Sequence, residues 1–185
     1  MKNKSISIPL WLTWFRIAIV PVFIALFYLP EFGYSQLMMN IINCCLFCLA
    51  AFTDYLDGYL ARRWNQESSF GAFLDPVADK AIVAASLIIL VDDHRTFAVF
   101  AIIIILREIG ISALREWMAQ VGQKSSVAVA YIGKLKTAAQ FFAIAFLVLD
   151  YHTRLIGNIL MVVAVILTVV SMFYYLKQAK NFINN

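Results

Sequence analysis

Six long apolar runs divide the chain, with short polar stretches between them. They extend from about Ile8 to Leu29, Leu37 to Leu60, Phe70 to Val91, Phe97 to Met118, Val127 to Leu149 and Leu155 to Leu176. Crossing a bilayer as an α-helix takes about 20 mostly apolar residues, and each run meets that length. Pro9 suits the first turn of the first helix and Pro30 its end. Pro21 lies inside the first run and Pro76 inside the third, where each is expected to bend its helix.

Composition agrees with the pattern. Of 185 residues, 63% are hydrophobic and only 14% charged. A soluble domain is nearer half apolar and a quarter charged. The expected fold class is therefore an all-α integral membrane protein with six transmembrane helices. Residues 1–185 read as one domain. The loops are short, and there is no Pro-rich or Ser-rich linker, low-complexity tract or internal repeat.

The charges orient the bundle. With the N-terminus in the cytosol, one side holds Lys2, Lys4, Arg62, Arg63, Lys124, Lys134, Lys136, Lys177 and Lys180. The other keeps only Arg95 and Arg154, beside Asp92, Asp93 and Asp150. That asymmetry follows the positive-inside rule and puts both termini in the cytosol. The net charge of +4 is thus a topology signal, and no nucleic-acid partner is expected. Arg16 interrupts the first run, and no small-residue cleavage pattern follows it, so it reads as a mature helix and not a signal peptide. Cys44, Cys45 and Cys48 lack a second ligand pair and read as packing residues.

The chemistry concentrates in FTDYLDGYLARRWNQESSFGAFLDPVADK, residues 52–80, which carries Asp54, Asp57, Asp75 and Asp79. Carboxylates beside apolar runs are costly at bilayer depth and mark function. Asp54 and Asp57 share a helix face, with Ala61 a further turn along it. Gly71, Asp75 and Asp79 form a second stripe on the next helix. A short turn near Trp64 to Ser69 makes the two helices antiparallel neighbours, so the stripes can face each other. Helix-end charges paired with Arg62, Arg63 and Lys80 would explain any single aspartate. Four on two matched stripes are better explained by bound cations, since like charges at close range require counter-charge. Hard oxygen donors without a nearby histidine favour Mg²⁺, Mn²⁺ or Ca²⁺ over Zn²⁺. Two such ions suit phosphoryl chemistry. Gly58, Ala61 and Gly71 leave room beside the stripes, and Arg62 offers a cation suited to phosphate.

The pattern D-x₂-D-G-x₂-A-R-x₈-G-x₃-D-x₃-D, met by Asp54, Asp57, Gly58, Ala61, Arg62, Gly71, Asp75 and Asp79, resembles the signature of the CDP-alcohol phosphotransferase family. The resemblance implies a six-helix membrane enzyme, usually a homodimer, that moves a phospho-group from a CDP-linked donor to an alcohol and releases CMP. It implies that Asp54, Asp57 and Asp75 bind metal, two Mg²⁺ or Mn²⁺ ions. Asp79 would contact metal and act as general base. Asp54, Gly58, Ala61, Arg62 and Gly71 would contact the CDP moiety.

RRWNQ, FGAFLDPVADK, REIGISALREWMA and SSVAVAYIGKLKTAAQ are similar to the bacterial members that transfer a phosphatidyl group from CDP-diacylglycerol to sn-glycerol 3-phosphate. The opening IPLWLTWFRIAIVPVF is similar too, although Trp11 stands where a small residue or asparagine is expected. Such an enzyme works in the bacterial inner membrane, with its active site on the cytosolic side. An anionic acceptor needs cations, and Arg107, Arg115, Lys134 and Lys136 are available on the fourth and fifth helices. Arg107 with Glu108, and Arg115 with Glu116, also read as ion pairs, and the two lysines lie near enough to a helix end to snorkel. Thr137 and Gln140 are weaker polar candidates. Family members using phosphatidylglycerol or an inositol phosphate as acceptor are alternatives. A divalent-cation transporter is the alternative from another class, but few polar residues extend a path to the far side.

Overall fold

The computed structural model describes residues 8–28, 35–64, 69–120 and 127–183. Some side chains within these ranges lie outside the described residues, among them Asp57, Gly58, Ala61, Arg62, Gly71, Asp75 and Arg115. The described residues form six α-helices: α1 (Ile8–Tyr28), α2 (Gln36–Trp64), α3 (Ser69–Asp92), α4 (Ala98–Gln120), α5 (Val127–Leu149) and α6 (Arg154–Ile183). Three of them, over Trp11–Tyr28, Gln36–Asp54 and Arg154–Lys177, are long and apolar enough to cross a membrane. Most of their residues face outward, and the exposed positions include Trp11, Val22, Ile41, Leu49, Leu155 and Phe173. An outward apolar face is what a lipid solvent requires.

The chain divides into two compact units, Met1–Ile89 and Leu90–Asn185. In the first, α1 packs along α2. The connection between them is short, which makes the pair an antiparallel hairpin. The buried face of α1 is Thr13, Arg16, Ile19 and Phe23. That of α2 is Met39, Asn40, Asn43, Phe47, Ala50 and Thr53. Steps of three and four keep each set on one helical stripe. On α3, Ala78, Ile82 and Ser86 make the equivalent stripe at steps of four. Ser86 donates to the carbonyl of Ile82 at 2.7 Å, which satisfies a hydroxyl in an apolar setting.

In the second unit α6 packs against both α4 and α5. The α5–α6 pair is an antiparallel hairpin closed by Asp150 to Thr153. Its close approach depends on Gly157, where an added Cβ would lie 2.7 Å from Cγ of the fully buried Leu147. Helices α4 and α6 instead run parallel. Arg107 reaches Ser171, and one turn later Ile111 clusters with Tyr175. Both pairs advance in the same direction along the two helices. The buried stripe of α6, from Gly157 through Met161, Ala164, Thr168 and Ser171 to Tyr175, supplies small or hydroxyl residues at most contacts. Such residues let helix backbones approach closely in membranes.

One end of this unit is capped by its turns. His94 and Asp150 take left-handed conformations, at φ 55 and 58, where α3 and α5 stop. Arg95, 3% exposed, donates to the carbonyls of Leu147 and Val148 at 3.2 and 2.7 Å and pairs with Asp93 and Asp150. A cation at the carbonyl end of α5 satisfies acceptors that the helix itself leaves open. Asn158 donates to the Arg95 carbonyl at 3.0 Å, so the cap also holds the start of α6.

Candidate active site

The expected stripes lie on continuous helices. Asp54 and Asp57 fall in the last third of α2, and Asp75 and Asp79 in the first half of α3, which continues through Pro76. The convergence of all four carboxylates involves Asp57 and Asp75, whose side chains lie outside the described residues, as do those of Gly58, Ala61, Arg62 and Gly71. Among the described residues no group of three His, Cys, Asp or Glu side chains comes together as a metal site. Asp79 is exposed and neighbours the buried Ala78, so its stripe runs beside the packed face of α3.

Asp54 has a partner that sequence reasoning missed. Nη1 of Arg16 donates to its Oδ1, linking α1 to α2 across 38 positions of sequence. The two residues share that bond unequally. The Arg16 side chain is 1% exposed, whereas that of Asp54 is 44% exposed. One oxygen is held by a cation from inside, while the carboxylate side chain as a whole remains 44% exposed. Arg16 also extends the α1 stripe begun by Thr13, so the hairpin packing itself carries the cation to Asp54. An arginine inside an apolar run needs a partner, and that requirement is the signal that could have found the pair.

The donor set fits a hard divalent cation. It consists of carboxylates, neither stripe carries histidine or cysteine, and the described Asp54 retains an open side. The three cysteines are not disulfide-bonded and lie earlier on α2.

The second unit holds a buried polar cluster on α4, α5 and α6. Lys136, 3% exposed, is ion-paired with Glu108. Arg107, 9% exposed, donates to Ser171 Oγ at 2.7 Å, lies 3.9 Å from Glu108 and sits 5.9 Å from the Tyr175 ring centroid. Gln140, one turn beyond Lys136, is also buried. Glu108 therefore serves Lys136 more closely than its chain neighbour Arg107. The two lysines expected to behave alike do not: Lys134 is exposed and Lys136 is packed inside. A two-residue step turns a side chain to the opposite side of a helix, which explains the split. Thr137 is exposed and bonds back to Gly133 at 3.0 Å. Arg115 lies outside the described side chains. Beside Arg107 a cleft of about 520 Å³ opens between α4 and α6, lined mainly by apolar residues such as Leu106, Ile111 and Met172. A cation at an apolar cleft suits an anionic group carried near lipid.

Comparison with known proteins agrees with this chemistry. The model of the CDP-alcohol phosphatidyltransferase family matches residues 6–170, and the chain belongs to that family. It is 47% identical over 178 residues to the CDP-diacylglycerol–glycerol-3-phosphate 3-phosphatidyltransferase of Salmonella paratyphi A, covering 94% of this chain and 95% of the relative. The protein of the same name from Haemophilus influenzae is also 47% identical, with 94% of each chain covered. That of Sodalis glossinidius is 48% identical over 183 residues, covering 96% of this chain and 97% of the relative.

Proposed function

We propose that this protein transfers the phosphatidyl group of CDP-diacylglycerol to sn-glycerol 3-phosphate, giving phosphatidylglycerol phosphate and CMP. The observation that carries the reading is the eight-position aspartate and glycine pattern on α2 and α3, in a chain 47% identical to curated enzymes of that name. Residues 1–185 act as one six-span domain with both termini in the cytosol. The family match across both compact units supports one domain, and the Lys and Arg asymmetry supports the topology. The enzyme works as a homodimer in the bacterial plasma membrane, with its active site on the cytosolic side.

Asp54, Asp57, Asp75 and Asp79 hold two Mg²⁺ or Mn²⁺ ions. When bound, the ions balance the diphosphate of the donor and the charge that develops on departing CMP. Asp54, Gly58, Ala61, Arg62 and Gly71 bind the CDP moiety, the small residues admitting it against the helix backbone. The 1-hydroxyl of glycerol 3-phosphate attacks the phosphorus that carries diacylglycerol. Asp79 accepts the hydroxyl proton, and its exposed position leaves it within reach of a polar substrate. The bond from that phosphorus to the CMP oxygen breaks, so CMP leaves as the anion. Arg107, Arg115, Lys134 and Lys136 provide the positive charge that holds the acceptor phosphate.

The test is transfer of radiolabelled glycerol 3-phosphate into lipid in detergent micelles with CDP-diacylglycerol and Mg²⁺ or Mn²⁺. Parallel reactions receive glycerol, inositol phosphate or phosphatidylglycerol. Label in lipid that requires metal and is lost in Asp75→Asn is the expected result. CMP release with a different acceptor only would reassign the substrate within the family. No CMP release with any acceptor would sink the enzyme reading.

A further inference from the structure

We propose that Arg16 is a positioning residue of the metal site: it fixes Oδ1 of Asp54 so that the remaining carboxylate oxygen is presented to a divalent cation. This rests on the reading of Asp54 as a metal ligand.

Three observations lead there. Arg16 is completely buried on α1, where a guanidinium is costly unless a partner compensates it. Its bond is to the side-chain carboxylate of the first aspartate of the pattern, on the neighbouring helix. The burial is one-sided, 1% exposure for Arg16 against 44% for Asp54; Arg95 and Asp93 share that split, so it is the place of Asp54 in the aspartate pattern that marks this pair as part of a site. An open carboxylate with one oxygen tied is the arrangement by which a second-layer group orients a metal ligand. The buried stripe Thr13–Arg16–Ile19–Phe23 locks the guanidinium against the packed face of α2, so α1 contributes to the site although the aspartate pattern lies entirely on α2 and α3.

The test measures binding without turnover. Mn²⁺ is titrated into purified full-length enzyme in detergent, and the unbound ion is followed by electron paramagnetic resonance. Arg16→Gln, still folded by size exclusion, is expected to bind Mn²⁺ about ten-fold more weakly, the scale typical of second-layer changes. Arg16→Lys keeps the charge and one donor and should recover most of that loss. Unchanged or tighter Mn²⁺ binding in folded Arg16→Gln would overturn the inference, tighter binding meaning that Arg16 only opposes the cation. Asp54→Asn separates the two layers of the argument. If it binds Mn²⁺ like the parent, the metal reading of Asp54 itself fails. If it loses binding while Arg16→Gln does not, only the role of Arg16 fails. Should Arg16→Gln not fold, the parent protein decides. Substoichiometric Mn²⁺ should broaden the Arg16 Nε resonance, assigned by its absence in Arg16→Lys, and an unbroadened signal would refute the placement.

Discussion

Arg16 and Arg95 are both buried arginines, 0% and 3% exposed, yet their partners differ in place. Arg95 donates to two backbone carbonyls at the end of α5 and pairs with Asp93 and Asp150 from adjoining turns. The carbonyls are fixed parts of the chain, and the two carboxylates, though 44% and 30% exposed, belong to the turns that the arginine joins. Arg16 holds a side-chain carboxylate of the same 44% exposure, but 38 positions away on the neighbouring helix and inside the aspartate pattern. Burial of a charge therefore does not distinguish structure from function here. Nor does the openness of the partner; what distinguishes them is that Asp54 stands in the aspartate pattern of α2 and α3, whereas Asp93 stands in the turn beside Arg95.

The largest effect expected at the open end is Asp79→Asn. The amide keeps the shape but cannot take the hydroxyl proton, so turnover should fall about 10³-fold, within the usual span for a general base. Radiolabel transfer at saturating substrates measures it. Near-normal turnover would remove Asp79 from that role and blur the contrast with the cap.

Arg95→Ala attacks the closed end. It strips donors from two helix-terminal carbonyls and leaves Asp93 and Asp150 with less counter-charge, at a cost of about 3 kcal/mol. The thermal midpoint in detergent should drop, while the fraction still folded should keep its KM for both substrates. A changed KM in the folded fraction would mean that the cap is more than structural.

These two ends were not equally legible in sequence. The apolar runs anticipated α1 as 8–29 and α5 as 127–149, against helices of 8–28 and 127–149. They stopped short on α6, which continues to Ile183, because polarity ends an apolar run but does not end a helix. The extension KQAKNFI contains no glycine or proline, and Lys, Gln and Ala favour helix. The aspartate pattern was fully readable because it is local, all eight positions lying within residues 54–79. The Arg16–Asp54 and Lys136–Glu108 pairs were not, since they span 38 and 28 positions and depend on which helices pack together. Neighbour rules along one helix paired Glu108 with Arg107, the nearer residue in sequence. That pair is present at 3.9 Å, and helix packing brings Lys136 to the same carboxylate more closely.

Lys136→Ala sharpens the comparison from the acceptor side. Removing a buried cation from the Arg107–Glu108–Lys136 cluster should raise the KM for glycerol 3-phosphate about 30-fold, equivalent to ~2 kcal/mol for a charge-assisted bond. The KM for CDP-diacylglycerol should stay near its original value. The exposed Lys134, changed in the same way, should matter less, because a solvated cation contributes weakly. Equal effects of the two lysines would reduce their contribution to general positive charge.

The smallest expected effect tests how tightly the closed end is built. In Gly157→Ala the new Cβ would meet Cγ and Cδ2 of Leu147 at 2.7 and 2.9 Å, and the Leu147 backbone nitrogen at 3.1 Å. The leucine side chain can shift, but its backbone is anchored, since its carbonyl accepts from Arg95. A cost of about 1 kcal/mol is expected, the low end for overpacking, with activity of the folded enzyme unchanged. If the anchor is what makes Leu147 unyielding, Arg95→Ala should relieve part of the Gly157→Ala penalty. The double variant would then lose less stability than the two single losses added, as neighbouring sites do. Strict additivity in thermal unfolding would mean that Leu147 is held by the α5–α6 packing alone. The buried arginine would then cap the helix without stiffening the hairpin beneath it.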